Sequence, residues 1–254
     1  YQAMQAGLQA FAPSFPVPLL ENRALTDVFM KLRLDCPQLF YAGTFQYRYY
    51  PDSRNAELIP AYLFEKGKLK EHQKALQSRV EKLVRPVARC SDEEKLLYIH
   101  DFICKNVRYD KLKKQYSHEI IGVLGHGVGV CEGIAKAVKI LCDALQIQCI
   151  IALAENNPEK GVKYRHAWNV VRLDKKYYHL DCTFDLSLGN PEEIRYDYFL
   201  LSDKQIFRVH ERLVWRVPAC EDADRFYYKK KKLSLRKKFP GELLFVCAPS
   251  GARF

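Results

Sequence analysis

The chain has 254 residues, of which 48% are hydrophobic and 13% aromatic, a composition that excludes an intrinsically disordered chain and can bury a sizeable core. The formal net charge is +11, but seven of the positive charges lie in two runs near the C-terminus, at 229–232 and 236–238. These runs could contact an anionic surface, whereas no zinc-finger or RNP-like motif indicates nucleic-acid recognition.

The nine cysteines are irregularly spaced and form no CxxC pair, so they predict neither a zinc cluster nor a disulfide framework. Free cysteines favour a reducing compartment and hence, weakly, a cytoplasmic location. No apolar run approaches the roughly 18 residues that a membrane-spanning helix needs. The first residue is Tyr1 rather than Met, so we expect the natural N-terminus to lie upstream, and secretion or anchoring stays open.

The first 90 residues alternate between helical and strand-like patterns and predict a small N-terminal subdomain. An irregular lead-in precedes an amphipathic helix, two segments rich in Tyr and Phe predict a strand pair, and a second helix follows. The predicted bounds are 1–22 for the lead-in, 23–35 and about 69–86 for the helices, and 39–50 and 56–64 for the strands.

The next part of the chain predicts two helices separated by irregular segments. Ser91, with Glu94 three residues later, gives the capping-box pattern that starts a helix. A polar stretch at 108–119 predicts a surface loop, and a Gly-rich stretch follows at 122–130. Residues 131–145 then carry the strongest helical pattern of the chain.

After this helix the pattern predicts antiparallel strands. A continuous apolar run predicts a buried strand, two segments around Asp174-Lys175 predict a β-hairpin, and one more strand follows. Helices followed by such strands are typical of an α+β fold rather than a doubly wound parallel sheet. The predicted strands are 147–153, 166–173, 177–183 and 196–201.

Cys131 occupies the first turn of the strongest helix, directly after the glycines. The unpaired N–H groups and the helix dipole there favour a negatively charged thiolate, and the same amides can stabilise an oxyanion. A core cysteine beside a simple turn is the plain alternative at this point. A nucleotide-binding loop is excluded, because Gly127 and Gly129 lack the third glycine and the GK[ST] sequence of such loops.

A nucleophilic thiol needs a base, and the base needs an acceptor that orients it. If Asp174-Lys175 is a two-residue turn, His166 and Asp181 are diagonal neighbours on one face of the hairpin, within hydrogen-bonding reach. A one-residue change of register would move Asp181 to the other face. The other candidates are a strand histidine expected to be half-exposed, two loop histidines and a carboxylate without a catalytic role, namely His179, His118, His126 and Asp185.

Two longer segments and their flanks resemble the transglutaminase-like superfamily, including its bacterial members, whose fold is related to the papain-like cysteine proteases. This resemblance implies that Cys131 is the nucleophile, His166 its base and Asp181 the residue that orients the base. The segments are GVGVCEGIAKAVKILCDALQI at 127–147 and HAWNVVRLDKKYYHLDCTFD at 166–185, with HDFICKNVRYD at 100–110 and DYFLLSD at 197–203.

The resemblance also implies the architecture: an α+β, papain-like core with a central helix packed on an antiparallel sheet, plus a smaller N-terminal α/β subdomain. We expect the subdomain at 1–90, the catalytic core at 91–224 and a basic tail at 225–254. Phe184 replaces a Trp of the family pattern. Because Trp168 and Trp215 both lie downstream of Cys131, the upstream Trp of animal transglutaminases has no counterpart here, and calcium dependence is not implied.

The implied activity is cysteine-dependent acyl transfer on peptide or carboxamide bonds through a thioester intermediate, with a protein or peptide as substrate and without a cofactor or metal. Water as acceptor would make a peptidase or amidase, and an amine would make a protein-glutamine transamidase. We expect hydrolysis, because a competing amine must be held in a dedicated site. A non-catalytic interaction module of the same fold is the alternative of another class, although all three site residues are present.

Overall fold

A computed structural model describes residues 1–50, 52–189 and 193–225. The chain divides into two compact units, Tyr1–Gln77 and Ser78–Phe254. The domain boundary predicted near residue 90 stays a prediction, and the two basic runs of the predicted tail lie outside the described residues. Over the described ranges, none of the helices has both the length and the apolar character needed to cross a membrane.

The first unit is built on a three-stranded antiparallel sheet in the order β1-β3-β2. The prediction of an irregular lead-in is wrong, because these residues form helix α1 and strand β1. Strand β1 lies at the edge of the sheet, where its prolines need not donate to a neighbour on the open side. The boundary between the two units falls within helix α3. The elements up to and including this helix are α1 Gln2–Gln9, β1 Phe15–Pro18, α2 Asn22–Asp35, β2 Ala42–Tyr49, β3 Asn55–Tyr62 and α3 Lys66–Val84.

The second unit has a four-stranded antiparallel sheet in the order β6-β7-β8-β9, against which helix α5 packs, and a short parallel pair, β4 and β5. The predicted α+β fold with a central helix on an antiparallel sheet is confirmed. The elements are α4 Asp92–Asn106, β4 Arg108–Tyr109, β5 Val128–Gly129, α5 Cys131–Ala144, β6 Cys149–Ala154, β7 His166–Leu173, β8 Lys176–Leu180, α6 Cys182–Leu188, β9 Phe199–Leu201 and α7 Asp203–Ile206.

Helix α4 begins as its sequence predicts. The Ser91 side chain accepts a hydrogen bond from the Glu94 backbone N–H, and the Glu94 carboxylate accepts one from the Ser91 N–H at 3.0 Å. This capping box satisfies two N–H groups that the first helical turn would otherwise leave without acceptors. Its apolar face is buried at Leu96, Ile99 and Ile103, which anchors α4 in the second unit.

The hairpin of β7 and β8 has the register that the two-residue turn predicts, with Val170 opposite His179. Asp174 and Lys175 both have positive φ angles, 48° and 67°, as the two central residues of a type I′ turn require. Neither residue is glycine, so the turn is strained. Within the turn, the Asp174 carboxylate forms an ion pair with Arg225.

The second strand of the hairpin is shorter than predicted. It ends at Leu180, and the prediction of a strand up to Thr183 is wrong because Asp181 caps helix α6. The Asp181 Oδ1 atom accepts hydrogen bonds from the backbone N–H groups of Thr183 at 2.9 Å and Phe184 at 3.1 Å. An aspartate in this position stabilises a helix start, which here outweighs continuation of the strand.

The segment at 108–130, between α4 and α5, contains short regular elements as well as loop. Its ends pair as the parallel strands β4 and β5, and the Ser117 carbonyl accepts a hydrogen bond from the Val130 N–H at 3.0 Å. A Cβ atom at Gly133 would lie 2.2 Å from the Ser117 oxygen. Only glycine therefore allows this backbone to pack against the first turn of α5, where Cys131 lies.

Candidate active site

Cys131 is the first residue of α5 and is half-buried. The preceding residue, Val130, is the N-cap and offers no side-chain hydrogen bond to the helix. The first N–H groups of a helix have no acceptor within the helix, and here no capping side chain from Val130 competes for them. The sulfur thus lies beside backbone donors that can bind an oxyanion.

His166 begins strand β7, where it pairs with Ala154 of β6. Its Nε2 atom lies 2.7 Å from Asp181 Oδ2, and the Cys131 thiol is near enough to the ring to raise its pKa. Because Nε2 faces the carboxylate, Nδ1 is the nitrogen left for the sulfur. Burial alone would lower the pKa of His166, but Asp181 and then Cys131 outweigh burial and raise this pKa to about 10.

Asp181 is fully buried and accepts hydrogen bonds on both carboxylate oxygens. Oδ1 binds the two backbone N–H groups at the start of α6, while Oδ2 faces His166 at 2.7 Å and His210 at 2.8 Å. Burial alone would raise the pKa of Asp181, but His166 and His210 hold it well below its ordinary value. The carboxylate is therefore stable as an anion inside the protein.

The structure brings the three predicted residues together, and their catalytic roles stay predictions. His210 was missed, because no local pattern relates it to the hairpin. It follows helix α7, with its backbone N–H on the Ile206 carbonyl at 3.2 Å. Its ring packs edge-on against Trp168, with centroids 4.7 Å apart, and against Phe184 at 4.6 Å.

The HAWN sequence that begins β7 has a packing role at each polar or aromatic position. Trp168 stacks on the His166 ring with centroids 5.7 Å apart and donates from Nε1 to His179 Nδ1 at 2.9 Å. Asn169 donates from Nδ2 to the Ala135 carbonyl of α5 at 2.9 Å. The Trp168 contacts join residues within the hairpin, and the Asn169 bond ties the hairpin to the helix that carries the thiol.

His179 lies behind Trp168 and is fully buried, so the expectation of a half-exposed histidine is wrong. Its Nδ1 accepts from Trp168, so its proton is on Nε2, which faces Asp203 Oδ1 at 2.7 Å. Burial lowers the pKa of His179, against the opposing effect of Asp203. A neutral imidazole thus supports the indole that stacks on His166.

Among the residues that the structure describes, two groups of buried or half-buried side chains have ligand atoms close enough to hold a metal ion. In the first group, separations of 2.7 and 2.8 Å around Asp181 Oδ2 are those of hydrogen bonds and shorter than the roughly 3.3 Å between ligands on a tetrahedral zinc. In the second, the ring nitrogen that faces the carboxylate carries a proton. Hydrogen bonding accounts for both groups, which are His166, Asp181 and His210, and His179, Asp203 and Cys220.

A second buried network ties α4 to α6. His100 Nε2 lies 3.0 Å from Asp185 Oδ2, and its Nδ1 lies 3.3 Å from Asp101 Oδ1, which also accepts from the Tyr196 hydroxyl at 2.7 Å. Burial alone would lower the pKa of His100, but Cys104 and the two aspartates raise it well above its ordinary value. The network fixes the helix whose first turn is capped by the site carboxylate.

The two loop histidines lie within the segment that leads to α5. His118 Nδ1 is 3.2 Å from Glu132 Oε2, and the His126 ring contacts the Tyr116 ring at 4.9 Å. Burial, and then the Cys131 charge, raise the pKa of the Tyr109 phenol. The sequence did not indicate this electrostatic link between Tyr109 and the thiol.

Comparisons with known proteins found one family match and several similar solved structures. Residues 81–182 match the family model described as the transglutaminase-like superfamily. A solved structure of a TGase is 13% identical with a TM-score of 0.36, and the alignment covers 67% of this chain and 50% of that one. A protein from Cytophaga hutchinsonii, provisionally named a cysteine protease, is 16% identical with a TM-score of 0.36, covering 55% of this chain and 61% of its own. The comparison with curated proteins found no match.

This chain spans about half to three-fifths of the length of those two solved proteins. The central helix on an antiparallel sheet, with a thiol at the helix start, is the architecture that the sequence resemblance implies. The resemblance inferred from the sequence motifs is confirmed, since residues 81–182 match the model of the transglutaminase-like superfamily.

Proposed function

We propose that this protein is a cysteine-dependent acyl-transfer enzyme that cleaves peptide or carboxamide bonds through a thioester on Cys131. The observation that carries the proposal is the position of His166, which hydrogen-bonds a buried carboxylate through Nε2 while the Cys131 thiol, at the start of α5, is near enough to raise the pKa of the same ring. A thiol, an imidazole and a carboxylate in this order are the parts of a thiol nucleophile with its base.

Before acylation, the proton of the Cys131 thiol is held on His166 as a thiolate–imidazolium pair, which agrees with the raised pKa of this histidine. In the acylation step, the thiolate sulfur attacks the substrate carbonyl carbon. The carbonyl oxygen becomes an oxyanion, which the N–H groups at the start of α5 can stabilise. The C–N bond then breaks, and His166 gives its proton to the leaving amine or ammonia. Asp181 holds the ring in the required orientation, since its Oδ2 atom binds Nε2.

In the second step, water loses a proton to His166 and attacks the thioester carbonyl. The carbon–sulfur bond breaks, a carboxylic acid leaves, and the proton returns to the sulfur of Cys131. An amine acceptor would give a transamidated product by the same route. We propose hydrolysis, because an amine can outcompete water only when a dedicated site holds it.

The test is to incubate the protein with a library of peptide carboxamides, trap the acyl-enzyme by acid quench and locate the added mass by peptide mapping. We expect a thioester on Cys131 and release of ammonia or a peptide amine, both lost in Cys131→Ala and both kept in Cys90→Ala. Cys90 is a matched control, because it is half-buried like Cys131. Added amine that enters the product would identify a transamidase instead of a hydrolase.

A non-catalytic interaction module is the alternative of another class. It predicts that no substrate in the library acylates Cys131 and that its thiol reacts with alkylating reagents no faster than Cys90. Both results together would reject the enzyme proposal.

A further inference from the structure

A second histidine binds the carboxylate of the proposed triad. Asp181 Oδ2 lies 2.7 Å from His166 Nε2 and 2.8 Å from His210 Nε2, so one oxygen faces two imidazole nitrogens. Orienting a catalytic histidine needs only one carboxylate–imidazole pair. The second ring is therefore unexplained by the mechanism above.

Main-chain hydrogen bonds to β6, an edge strand of the sheet, hold the segment that carries His210. Beyond it, the Glu155 N–H donates to the Arg212 carbonyl and the Val214 N–H to the Leu153 carbonyl, each at 2.8 Å. These bonds attach the segment to the end of β6, at Ala154, which pairs directly with His166 in β7. The position of His210 is thus fixed relative to the first strand residue of the site.

The protonation of the ring follows from its surroundings. Nε2 faces an oxygen that has no proton to give, so Nε2 must carry one and donate it. His210 is only 8% exposed, and its buried Nδ1 has no hydrogen-bond partner among the described residues. A proton on Nδ1 would leave a buried N–H group without an acceptor, which costs about 1–3 kcal/mol. The ring is thereby held in the form that donates to Asp181.

The two rings surround the carboxylate oxygen from different sides. Their centroids are 5.2 Å apart and their planes are inclined by 52°, so the two N–H groups approach Oδ2 along different directions. With Oδ1 held by two backbone N–H groups at the start of α6, the carboxylate has four hydrogen-bond partners among the described residues. Rotation about the Asp181 side-chain torsion would break at least one of these bonds.

We propose that His210 is a positioning residue of the triad, which anchors Asp181 Oδ2 so that His166 keeps its Nδ1 atom directed at Cys131. This inference rests on the proposed function. The role is separate from ring packing, because it depends on one N–H group at the position of Nε2. His210 does not touch the sulfur in this account, and it acts through the carboxylate.

The groups that face His210 determine the expected pH dependence. They are Asp181 and His166 within the site, His179 from β8, and Tyr198 ahead of β9. Without the His210 N–H, the Asp181 charge acts on His166 alone. His166 should then hold its proton to higher pH, and the alkaline limb of acylation should move upward.

The test compares His210→Phe, which keeps an aromatic ring without a donor, with His210→Gln, whose amide N–H can reach the position of Nε2. Two rates are measured across pH on the full chain: acylation by a peptide carboxamide, and alkylation of Cys131 by iodoacetamide. We expect His210→Phe to slow acylation about 10- to 100-fold with an upward-shifted alkaline limb, and His210→Gln to stay within about 3-fold of the unchanged protein.

An unchanged acylation rate and pH profile in His210→Phe would overturn the proposal, and so would equal losses in both variants, because equal losses would assign the effect to packing. If His210→Phe does not fold, His210→Asn replaces it, since its shorter amide reaches only the position of Nδ1. Equal rates for the Asn and Gln variants would then overturn the proposal. Failure of the proposed function is distinguishable, because it removes the selective reaction of Cys131 from the unchanged protein itself.

Discussion

At the scale of single residues, Asp181 combines two jobs that usually belong to different side chains. One oxygen caps helix α6, and the other binds the imidazole that faces the thiol. The sequence predicts the pair of His166 and Asp181 because a two-residue turn places them on one face. It does not predict His210, which comes 29 positions after Asp181 and is brought there only by the packing of a segment on β6.

Asp181→Asn tests the charge of the carboxylate. Because this charge raises the pKa of His166 to about 10, the imidazolium should persist through neutral pH and lose its proton as the pH rises through about 10. Acylation, which needs that proton for the leaving group, should fall over the same range. The variant should acylate about 10²- to 10⁴-fold more slowly, and its decline should begin at lower pH.

The measurement is the pH profile of ammonia release from a peptide carboxamide. Asp143→Asn is the control, since Asp143 is an exposed residue near the far end of α5. An Asp181→Asn profile that coincides with that of the control would remove the carboxylate from the mechanism.

At the scale of elements, the site is the meeting point of a helix start, a hairpin and a capped helix. The hairpin register follows from its turn, Asp174-Lys175, and could be derived from spacing alone. The end of β8 could not, because the alternating pattern continues through Asp181 while the aspartate gains more by capping α6. The pairing of β4 with β5 was also missed, since two-residue strands carry no periodic signal.

Gly133→Ala tests the packing that places Cys131. The added Cβ would lie 2.2 Å from the Ser117 carbonyl oxygen, so the segment or the helix must move. We expect a loss of about 1–3 kcal/mol in the free energy of unfolding, from overpacking, together with slower alkylation of Cys131. Urea unfolding and iodoacetamide kinetics measure the two effects.

Gly67→Ala is the matched control in helix α3, because nothing lies within 4 Å of the added atom. It should leave alkylation unchanged and should not destabilise the protein, since alanine is the better helix former. If both variants behave alike, close approach at Gly133 is not what positions the thiol.

At the scale of the whole molecule, the fold class and the superfamily could be inferred from two motif segments, which lie mainly within residues 81–182. The sequence predicts the N-terminal unit less well. Its Ala-, Gln- and Pro-rich start has no clear periodicity, although it forms α1 and the edge strand β1. A proline on an edge strand costs no ladder hydrogen bond, so composition alone misleads there.

The proposed chemistry requires Cys131 to be an activated nucleophile whose base is His166. The most direct measurement is peptide-resolved alkylation of the nine cysteines by iodoacetamide at neutral pH. We expect Cys131 to react roughly 10-fold or more faster than Cys90, since thiolates rather than thiols react, and His166→Ala to slow the reaction of Cys131 alone. Uniform labelling of the cysteines, or a Cys131 rate that His166→Ala leaves unchanged, would contradict the proposed chemistry.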